Sequence, residues 1–157
     1  MATKILMVCL GNICRSPLAE GILKKKVCKS TFVDSAGTAA YHIGNQPDPR
    51  SVSVGKKNGI DISYFRARKF TKGDFRNFNY IYVMDKSNYN DVLSIAQLSE
   101  DHKKVKLILD YGQEVPDPYF GEEAGFDHCY DLLDKACDQI VKELNLEVLE
   151  KLRWHEI

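Results

Sequence analysis

The sequence predicts an α/β fold, in which a four-stranded, twisted parallel sheet is covered by helices on both faces. Short apolar runs recur along the 157 residues with helical stretches between them, which is the pattern of a parallel sheet. The runs are continuously apolar rather than alternating, so both faces of each strand should be buried. We therefore predict one three-layer domain over residues 1–157. For its topology we expect the flavodoxin-like strand order 2-1-3-4.

The individual elements follow from these runs and from local stop and start signals. Strands are predicted at residues 4–9, 31–35, 80–84 and 105–109, and helices at residues 16–28, 48–59, 71–75, 87–98 and 126–144. Asp48 and Pro49 form a cap followed by a first-turn proline, and Gly59 is a plausible helix stop. In the last helix, apolar residues spaced by three and four positions predict one buried stripe: Phe126, Tyr130, Leu133, Cys137, Ile140 and Leu144.

Composition and charge exclude several classes of function. Lys plus Arg and Asp plus Glu balance at 22 each, which argues against a nucleic acid or an acidic membrane as partner. The early apolar run at residues 5–10 is too short for a signal peptide or a membrane span. Five cysteines, an odd number without framework spacing, favour a reducing compartment. We expect a cytoplasmic protein, with a monomer as the default.

The loop after the first predicted strand contains the most informative motif. Residues 9–17 read Cys-Leu-Gly-Asn-Ile-Cys-Arg-Ser-Pro, and a helix is predicted directly behind them. The backbone N–H groups of such a loop can converge on a tetrahedral oxyanion, while Arg15 clamps two oxygens and Cys9 lies below as nucleophile. A Cys six positions before an Arg arises by chance in about one such chain in five, so the flanking strand and helix carry the inference.

Each residue type in this loop suits a bound phosphate. A free thiol is mostly protonated at neutral pH, but loop amides, the positive end of the helix and Arg15 should all favour the thiolate of Cys9. Gly11 and Asn12 tolerate the left-handed conformations that such a loop requires. Ser16 is placed either to cap the helix or to donate a hydrogen bond to the sulfur. The competing interpretation is that Cys9 is only a small core residue.

The other four cysteines are less informative. Cys14 either packs in the interior or forms a reversible disulfide with Cys9 that protects the nucleophile from further oxidation, and the sequence leaves both open. Cys28, Cys129 and Cys137 fall in helical patterns and are expected to be core or surface thiols.

A second candidate lies in the loop after the fourth predicted strand. Attack on a phosphate monoester needs an acid for the departing oxygen and then a base for water. Asp117, held between two prolines, can serve as both. Pro-Asp-Pro can also be a simple turn, and Asp48 lies in another copy of it. The position of Asp117 after the fourth predicted strand favours it over Asp48, because ligands of open α/β sheets bind beyond the carboxyl ends of the strands.

Histidine and tryptophan provide no further site. The four histidines have no metal-ligand spacing and are expected at the surface; they are His42, His102, His128 and His155. Trp154 is expected to pack against the last helix.

With these pieces in place, the chain resembles the low-molecular-weight protein tyrosine phosphatases over most of its length. The motifs that carry the resemblance are residues 9–20, 33–37, 47–50, 84–88 and 117–119. The resemblance implies metal-free hydrolysis of phosphotyrosine through a phosphocysteine on Cys9, with no cofactor. It also implies that Arg15 clamps the phosphate and that Asp117 acts as general acid and then general base.

Further site residues come from the same resemblance. Ser16 would be the partner of the thiolate, while Asn12 and Ser35 would brace the loop, with Asp85 as additional support. The phosphate-binding loop would comprise Leu10, Gly11, Asn12, Ile13, Cys14 and Ser16. An apolar rim for the aromatic ring would comprise Leu10, Ile13, Tyr41 and Tyr119. Implied substrates are phosphotyrosine proteins and small aryl phosphates, and phosphate-like oxyanions would inhibit.

The chain departs from the family pattern at two places. Residues 65–69 read Phe-Arg-Ala-Arg-Lys where the family usually has His-x-Ala-Arg-Gln. The family histidine helps to hold Asn12, so Phe65 predicts a looser loop, at a cost of about 1–2 kcal/mol. Where eukaryotic members often carry two tyrosines, this chain has Tyr119 and Phe120, so only Tyr119 could be a regulatory phosphorylation site.

Two other functions compete with hydrolysis. Arsenate reductases of similar fold use the same anion loop but need further cysteines, and residues 80–90 contain none. A non-catalytic phosphate-binding protein would keep the loop without turnover, but the joint presence of Cys9, Arg15 and Asp117 argues against it.

Overall fold

The computed structural model describes residues 2–148, and the predictions for Trp154 and His155 lie outside that range. Strands and helices follow one another in the predicted α/β manner. In chain order the elements are β1 (Thr3–Cys9), α1 (Arg15–Lys26), β2 (Thr31–Gly37), α2 (Pro49–Lys57), α3 (Gly73–Asn77), β3 (Tyr80–Val83), α4 (Lys86–Leu93), α5 (Ser99–Lys104), β4 (Val105–Leu107) and α6 (Glu123–Glu143).

All four strands run parallel in one sheet with the order β2-β1-β3-β4, which confirms the predicted topology. β1 lies between β2 and β3, so the connections leaving β1 and β3 diverge at its carboxyl end. In open α/β sheets this is the crevice where ligands bind. Cys9 is the last residue of β1 and pairs with Gly37 at the end of β2.

The two faces of the sheet pack in two separate cores. Ile5 and Met7 of β1 lie in the larger core with the buried sides of α1 and α6. Leu6 and Val8 point to the other face and pack with residues of α3 and α4, including Phe75. Every β1 residue from position 5 to 9 is buried, which explains why the apolar run of this strand is continuous rather than alternating.

Several local signals act as predicted. The Asp48 side chain accepts the Arg50 N–H at 2.8 Å and caps α2, Pro49 is its first residue, and Gly59 lies just beyond it with a φ of 82°. The stripe of α6 is buried from Phe126 to Ile140. No helix within residues 2–148 is long and apolar enough to cross a membrane.

The prediction of one helix at residues 87–98 is wrong. α4 ends at Leu93, and a separate helix, α5, occupies residues that the periodicity did not single out. The Asp101 carboxylate accepts the N–H groups of Gln97 and Leu98, both at 3.1 Å, and so starts α5 independently. β4 ends two residues early, at Leu107, and Cys28 lies beyond the end of α1 rather than within it.

Candidate active site

The loop between β1 and α1 brings the predicted thiol and guanidinium together in the interior. Cys9 is 3% exposed and Arg15, the first residue of α1, is 2% exposed. Asn12 is left-handed with a φ of 57°, as predicted. The same prediction for Gly11 is wrong, since only a close approach requires glycine there. A Cβ on Gly11 would lie 2.9 Å from Cδ2 of His42.

The end of β2 supports the loop from behind. Thr38 N–H donates to the Cys9 carbonyl at 3.0 Å, and Ala39 N–H donates to the Leu10 carbonyl at 2.9 Å. A Cβ on Gly37 would lie 2.8 Å from the oxygen of Leu10 and within 3.1 Å of two further loop atoms, all of them backbone. Glycine is therefore required at position 37 for contact between strand and loop.

A chain of hydrogen bonds leads from the interior to the Cys9 sulfur. The Asn12 amide nitrogen donates to the Ser16 hydroxyl at 2.7 Å and to the Ser35 hydroxyl at 2.9 Å. Ser35 in turn donates to the Glu20 carboxylate at 2.6 Å. Since Ser16 accepts from Asn12, its own hydrogen can be donated to the Cys9 sulfur, 3.0 Å away, in preference to the more distant Ala36 carbonyl at 3.5 Å. Of the two roles predicted for Ser16, the structure supports contact with the sulfur, because the N-cap of α1 is Cys14 and the Ser16 hydroxyl lies against the Cys9 sulfur and the Asn12 amide.

Phe65 leaves no gap at Asn12. Both amide hydrogens of Asn12 have acceptors, and its oxygen accepts the Arg68 N–H at 3.0 Å. Phe65 instead lies under the Lys24 ammonium, which is 4.8 Å from the ring centroid and 2.6 Å from the second oxygen of Glu20. Burial raises the pKa of Glu20, and the hydrogen bonds from Lys24 and Ser35 only partly oppose it.

Arg15 is held by the chain ends of two other strands. Its Nη1 is 2.7 Å from the Asp85 carboxylate, which follows β3, and 2.9 Å from the Val115 carbonyl in the loop after β4. Burial opposes the charge of Arg15, but the Cys9 sulfur and the carboxylates of Asp85 and Asp117 outweigh it and raise the pKa of the guanidinium. Asp85, predicted as loop support, thus contacts the Arg15 guanidinium directly.

Asp117 lies at the entrance, opposite Arg15. Its Oδ2 is 3.5 Å from Nη2 of Arg15, its Oδ1 accepts the Tyr119 N–H at 3.1 Å, and its side chain is 36% exposed. The carboxyl group is therefore accessible to water and directed towards the same cleft as Cys9, the position that proton transfer to a leaving group requires.

These groups line one cleft with a volume of about 150 Å³. Nine predicted site residues line it, namely Cys9, Leu10, Gly11, Ile13, Cys14, Arg15, Tyr41, Asp117 and Tyr119. The predicted loop residues Asn12 and Ser16 are buried and do not line it. Two further lining residues, His42 and Phe120, were missed because no motif marks them. The proximity of His42 to Tyr41 in the chain was the only available signal. The ring centroid of His42 lies 6.1 Å from that of Tyr119, so His42 forms part of the aromatic wall of the cleft.

The remaining thiols and the histidines of residues 2–148 add no metal site. All five cysteines are free, and burial raises the pKa of Cys14, with the nearby charge of Asp48 acting in the same direction. Burial likewise raises the pKa values of Cys129 and Cys137 in α6. Within residues 2–148, no three His, Cys, Asp or Glu side chains cluster in a way that could hold a metal ion.

Comparison with known proteins gives one consistent result. Residues 4–150 match the family model of the low molecular weight phosphotyrosine protein phosphatase. The low molecular weight phosphotyrosine protein phosphatase of Schizosaccharomyces pombe is 43% identical over 138 residues, covering 81% of this chain and 87% of that protein.

Solved structures agree with the sequence matches. A protein tyrosine phosphatase from Entamoeba histolytica, with Hepes in its active site, superposes with a TM-score of 0.85 at 39% identity, covering 92% of this chain and 97% of that one. Vibrio vulnificus Wzb in complex with benzylphosphonate gives a TM-score of 0.83 at 33% identity, covering 91% and 99%. These matches establish an enzyme of the protein-tyrosine phosphatase class. Within that class, the chain belongs to the low molecular weight phosphotyrosine protein phosphatase family.

Proposed function

We propose that this phosphatase hydrolyses phosphotyrosine in two steps through a phosphocysteine on Cys9. The observation that carries the proposal is the convergence of Cys9, Arg15 and Asp117 on one cleft. The thiol is at its base, the guanidinium is buried beside it, and the carboxyl group is at the entrance. No metal or cofactor has a part in this scheme.

In the first step, the Cys9 thiolate attacks phosphorus and a sulfur–phosphorus bond forms. Arg15 binds two phosphate oxygens, and its position is fixed by Asp85. The phosphorus–oxygen bond to the phenol breaks, and Asp117 delivers its proton to the departing oxygen. The loop N–H groups and the start of α1 stabilise the charge that develops on the phosphoryl group.

In the second step, Asp117 removes a proton from water, and the water oxygen attacks phosphorus. The sulfur–phosphorus bond breaks, inorganic phosphate forms, and the electron pair returns to Cys9 as a thiolate. The Ser16 hydroxyl, 3.0 Å from the sulfur, stabilises that thiolate. The orientation of Ser16 follows from its acceptance of the Asn12 hydrogen bond at 2.7 Å.

The shape of the cleft supports selectivity for aryl phosphates. Tyr41 is 76% exposed and Tyr119 lies across the entrance, so a substrate ring can pack between aromatic walls. Phosphoserine is too short to place its phosphorus at the sulfur of a recessed Cys9. Benzylphosphonate, which joins an aromatic ring to a phosphonate through one CH2 group, is bound by the Vibrio vulnificus relative. By the same chemistry, phosphate-like oxyanions should inhibit this enzyme.

The redox chemistry of the proposed nucleophile favours one cellular compartment. A thiolate at Cys9 needs reducing conditions, and the five free thiols fit the cytoplasm. We infer that residues 1–157 act as one catalytic domain and as a monomer. Oxidation of Cys9 to a disulfide with Cys14, and phosphorylation of Tyr119, are the two modes of regulation that this site would allow.

Hydrolysis in the presence of EDTA tests the proposal. Reduced protein should cleave p-nitrophenyl phosphate and a phosphotyrosine peptide, and Cys9→Ser should abolish both activities. A matched phosphoserine peptide should not be cleaved. Activity that needs a metal, or that survives in Cys9→Ser, would refute the phosphocysteine route. With no turnover at all, the Cys9 loop would bind an anion for another purpose, and arsenate reduction would be assayed next.

A further inference from the structure

The Pro-Asp-Pro motif at residues 47–49, followed by Arg50, contacts both the loop that carries Cys9 and the loop that carries Asp117. Asp48 N–H donates to the Ile13 carbonyl at 2.8 Å, and the Ser51 hydroxyl donates to the Cys14 carbonyl at 3.3 Å. Both acceptors belong to the phosphate-binding loop. The start of α2 is therefore fixed to the loop that carries Cys9.

Arg50 extends from this fixed helix start to the loop that carries Asp117. Its Nη2 donates to the Tyr119 carbonyl at 2.8 Å, and its Nη1 donates to the Gly121 carbonyl at 3.1 Å. Tyr119 is two residues beyond Asp117, and its own N–H donates to the Asp117 carboxylate at 3.1 Å. Arg50 thus holds, by its carbonyl, the residue whose N–H binds the proposed acid.

The guanidinium is itself immobilised on its other side. Nε and Nη2 of Arg50 pair with the two oxygens of Asp48 at 3.0 and 2.9 Å, the planar fork geometry that lysine cannot reproduce. The same group lies 4.5 Å from the centroid of the Phe126 ring. Asp48 is buried, so the anchor is rigid.

The acid loop is buried at Val115 and Pro118 but exposed at several other positions. Asp117 and Phe120 are exposed, with Phe120 93% accessible, and Tyr119 is only half-buried. The Val115 carbonyl fixes the loop on the near side of Asp117 through Arg15. On the far side, the two bonds from Arg50 hold the segment against the body of the protein.

We propose that Arg50 is a positioning residue for Asp117, which it holds over the Cys9 loop through the carbonyls of Tyr119 and Gly121. The proposal rests on the proposed function, since it assigns Arg50 no contact with substrate. Loss of Arg50 should impair proton transfer by Asp117 while leaving the phosphate-binding loop able to hold an oxyanion.

The test compares kcat/KM for aryl phosphates whose phenols differ in acidity. Phenyl phosphate needs a proton on its leaving group, whereas 2,4-dinitrophenyl phosphate does not. Arg50→Gln should lower kcat/KM for phenyl phosphate about tenfold or more, and for 2,4-dinitrophenyl phosphate by less than about twofold. Inhibition by inorganic phosphate should be unchanged. Should Arg50→Gln fail to fold, Arg50→Lys keeps the charge and lacks the fork, and the same pattern is expected in weaker form.

Two further variants make the test specific. In an Asp117→Asn background, Arg50→Gln should have no additional effect on phenyl phosphate, because the residue acts through Asp117. Lys57→Gln is the matched control: it lies on the same helix and pairs with Asp127 at 2.6 Å, away from the acid loop, and should behave as wild type.

Equal losses on both substrates, a loss that persists in the Asp117→Asn background, or no loss at all would overturn the assignment of Arg50. These outcomes differ from failure of the proposed function, in which the wild-type protein itself shows no Cys9-dependent hydrolysis. That result would overturn both.

Discussion

The Arg15 guanidinium and the Asp85 carboxylate are joined at 2.7 Å across the carboxyl ends of β1 and β3. Asp85 uses its second oxygen to accept the Asn88 N–H at 2.7 Å and so caps α4. One carboxylate therefore fixes both the phosphate clamp and the start of a helix. The orientation of Arg15 is set before any substrate arrives, which removes an ordering cost from binding.

Replacement of Asp85 separates these two roles. Asparagine is also a good N-cap, so Asp85→Asn should keep α4 while it removes the charge that holds Arg15. Loss of a charge-assisted hydrogen bond is worth about 1.5–3 kcal/mol, and the inhibition constant for inorganic phosphate should rise about tenfold or more. Glu114→Gln is the control, because Glu114 also accepts an N–H from the first turn of α4, that of Lys86 at 2.8 Å, without touching Arg15. Equal effects of the two substitutions would contradict this role for Asp85.

Gly37→Ala tests the contact between β2 and the phosphate-binding loop. The new Cβ would lie 2.8 Å from the Leu10 oxygen, and backbone on both sides leaves no side chain to yield. We expect a loss of about 1–3 kcal/mol in the free energy of unfolding, measured in urea, together with weaker phosphate inhibition. At Gly73 the same substitution would meet only Thr71 Oγ1 at 3.7 Å and should be nearly neutral. Unchanged phosphate binding in Gly37→Ala would show that the loop adjusts to the strand.

The contacts around Phe65 and Asn12 change the effect that Phe65→His is expected to have on the stability of the protein. Asn12 already has its hydrogen-bond partners, so Phe65→His should change the free energy of unfolding by less than about 1 kcal/mol. Lys24→Met should cost about 1–3 kcal/mol, because the buried Glu20 carboxylate would lose its cation. Lys25→Met is the control, since Lys25 reaches only the Asn58 carbonyl at 3.1 Å. A large gain from Phe65→His, with no loss from Lys24→Met, would restore the original expectation.

Glu20 should make stability depend on pH. Burial raises its pKa above the ordinary value of 4.5, so the folded state binds this proton more tightly than the unfolded state. The stabilisation is present below pH 4.5 and is lost as the pH rises through the raised pKa. From pH 4 to 7, the stability of the wild type relative to Glu20→Gln should therefore fall, with a slope of at most about 1.4 kcal/mol per pH unit. Urea unfolding measures this difference, and a relative stability that rises with pH would contradict the prediction.

The sequence predicted the strands and the loop of Cys9 because both depend on local pattern. The apolar run that ends at Cys9 and the helix start behind Arg15 are adjacent in the chain. Only its position after the last strand distinguished Asp117 from Asp48 as the candidate acid. The two Pro-Asp-Pro motifs proved to be connected through Arg50, a contact between residues about 70 positions apart. No periodicity encodes such a pairing.

The parts that sequence reasoning missed depend on tertiary contacts. His42 lines the cleft because the chain after β2 folds over Gly11, where a Cβ would collide with its ring. The Lys24 ammonium lies between Glu20, one turn away on α1, and the ring of Phe65, which is distant in the chain. The break between α4 and α5 follows from Asp101, whose carboxylate binds N–H groups three and four residues before it.

The covalent intermediate is the central claim, and mass spectrometry after acid quenching tests it most directly. In Asp117→Asn, p-nitrophenyl phosphate should still transfer its phosphoryl group, since nitrophenolate leaves without an acid, while water lacks the base that it needs. The intermediate should therefore accumulate, and the peptide that contains Cys9 should carry one phosphoryl group. A phosphoryl group on any other residue, or none during turnover, would contradict the account.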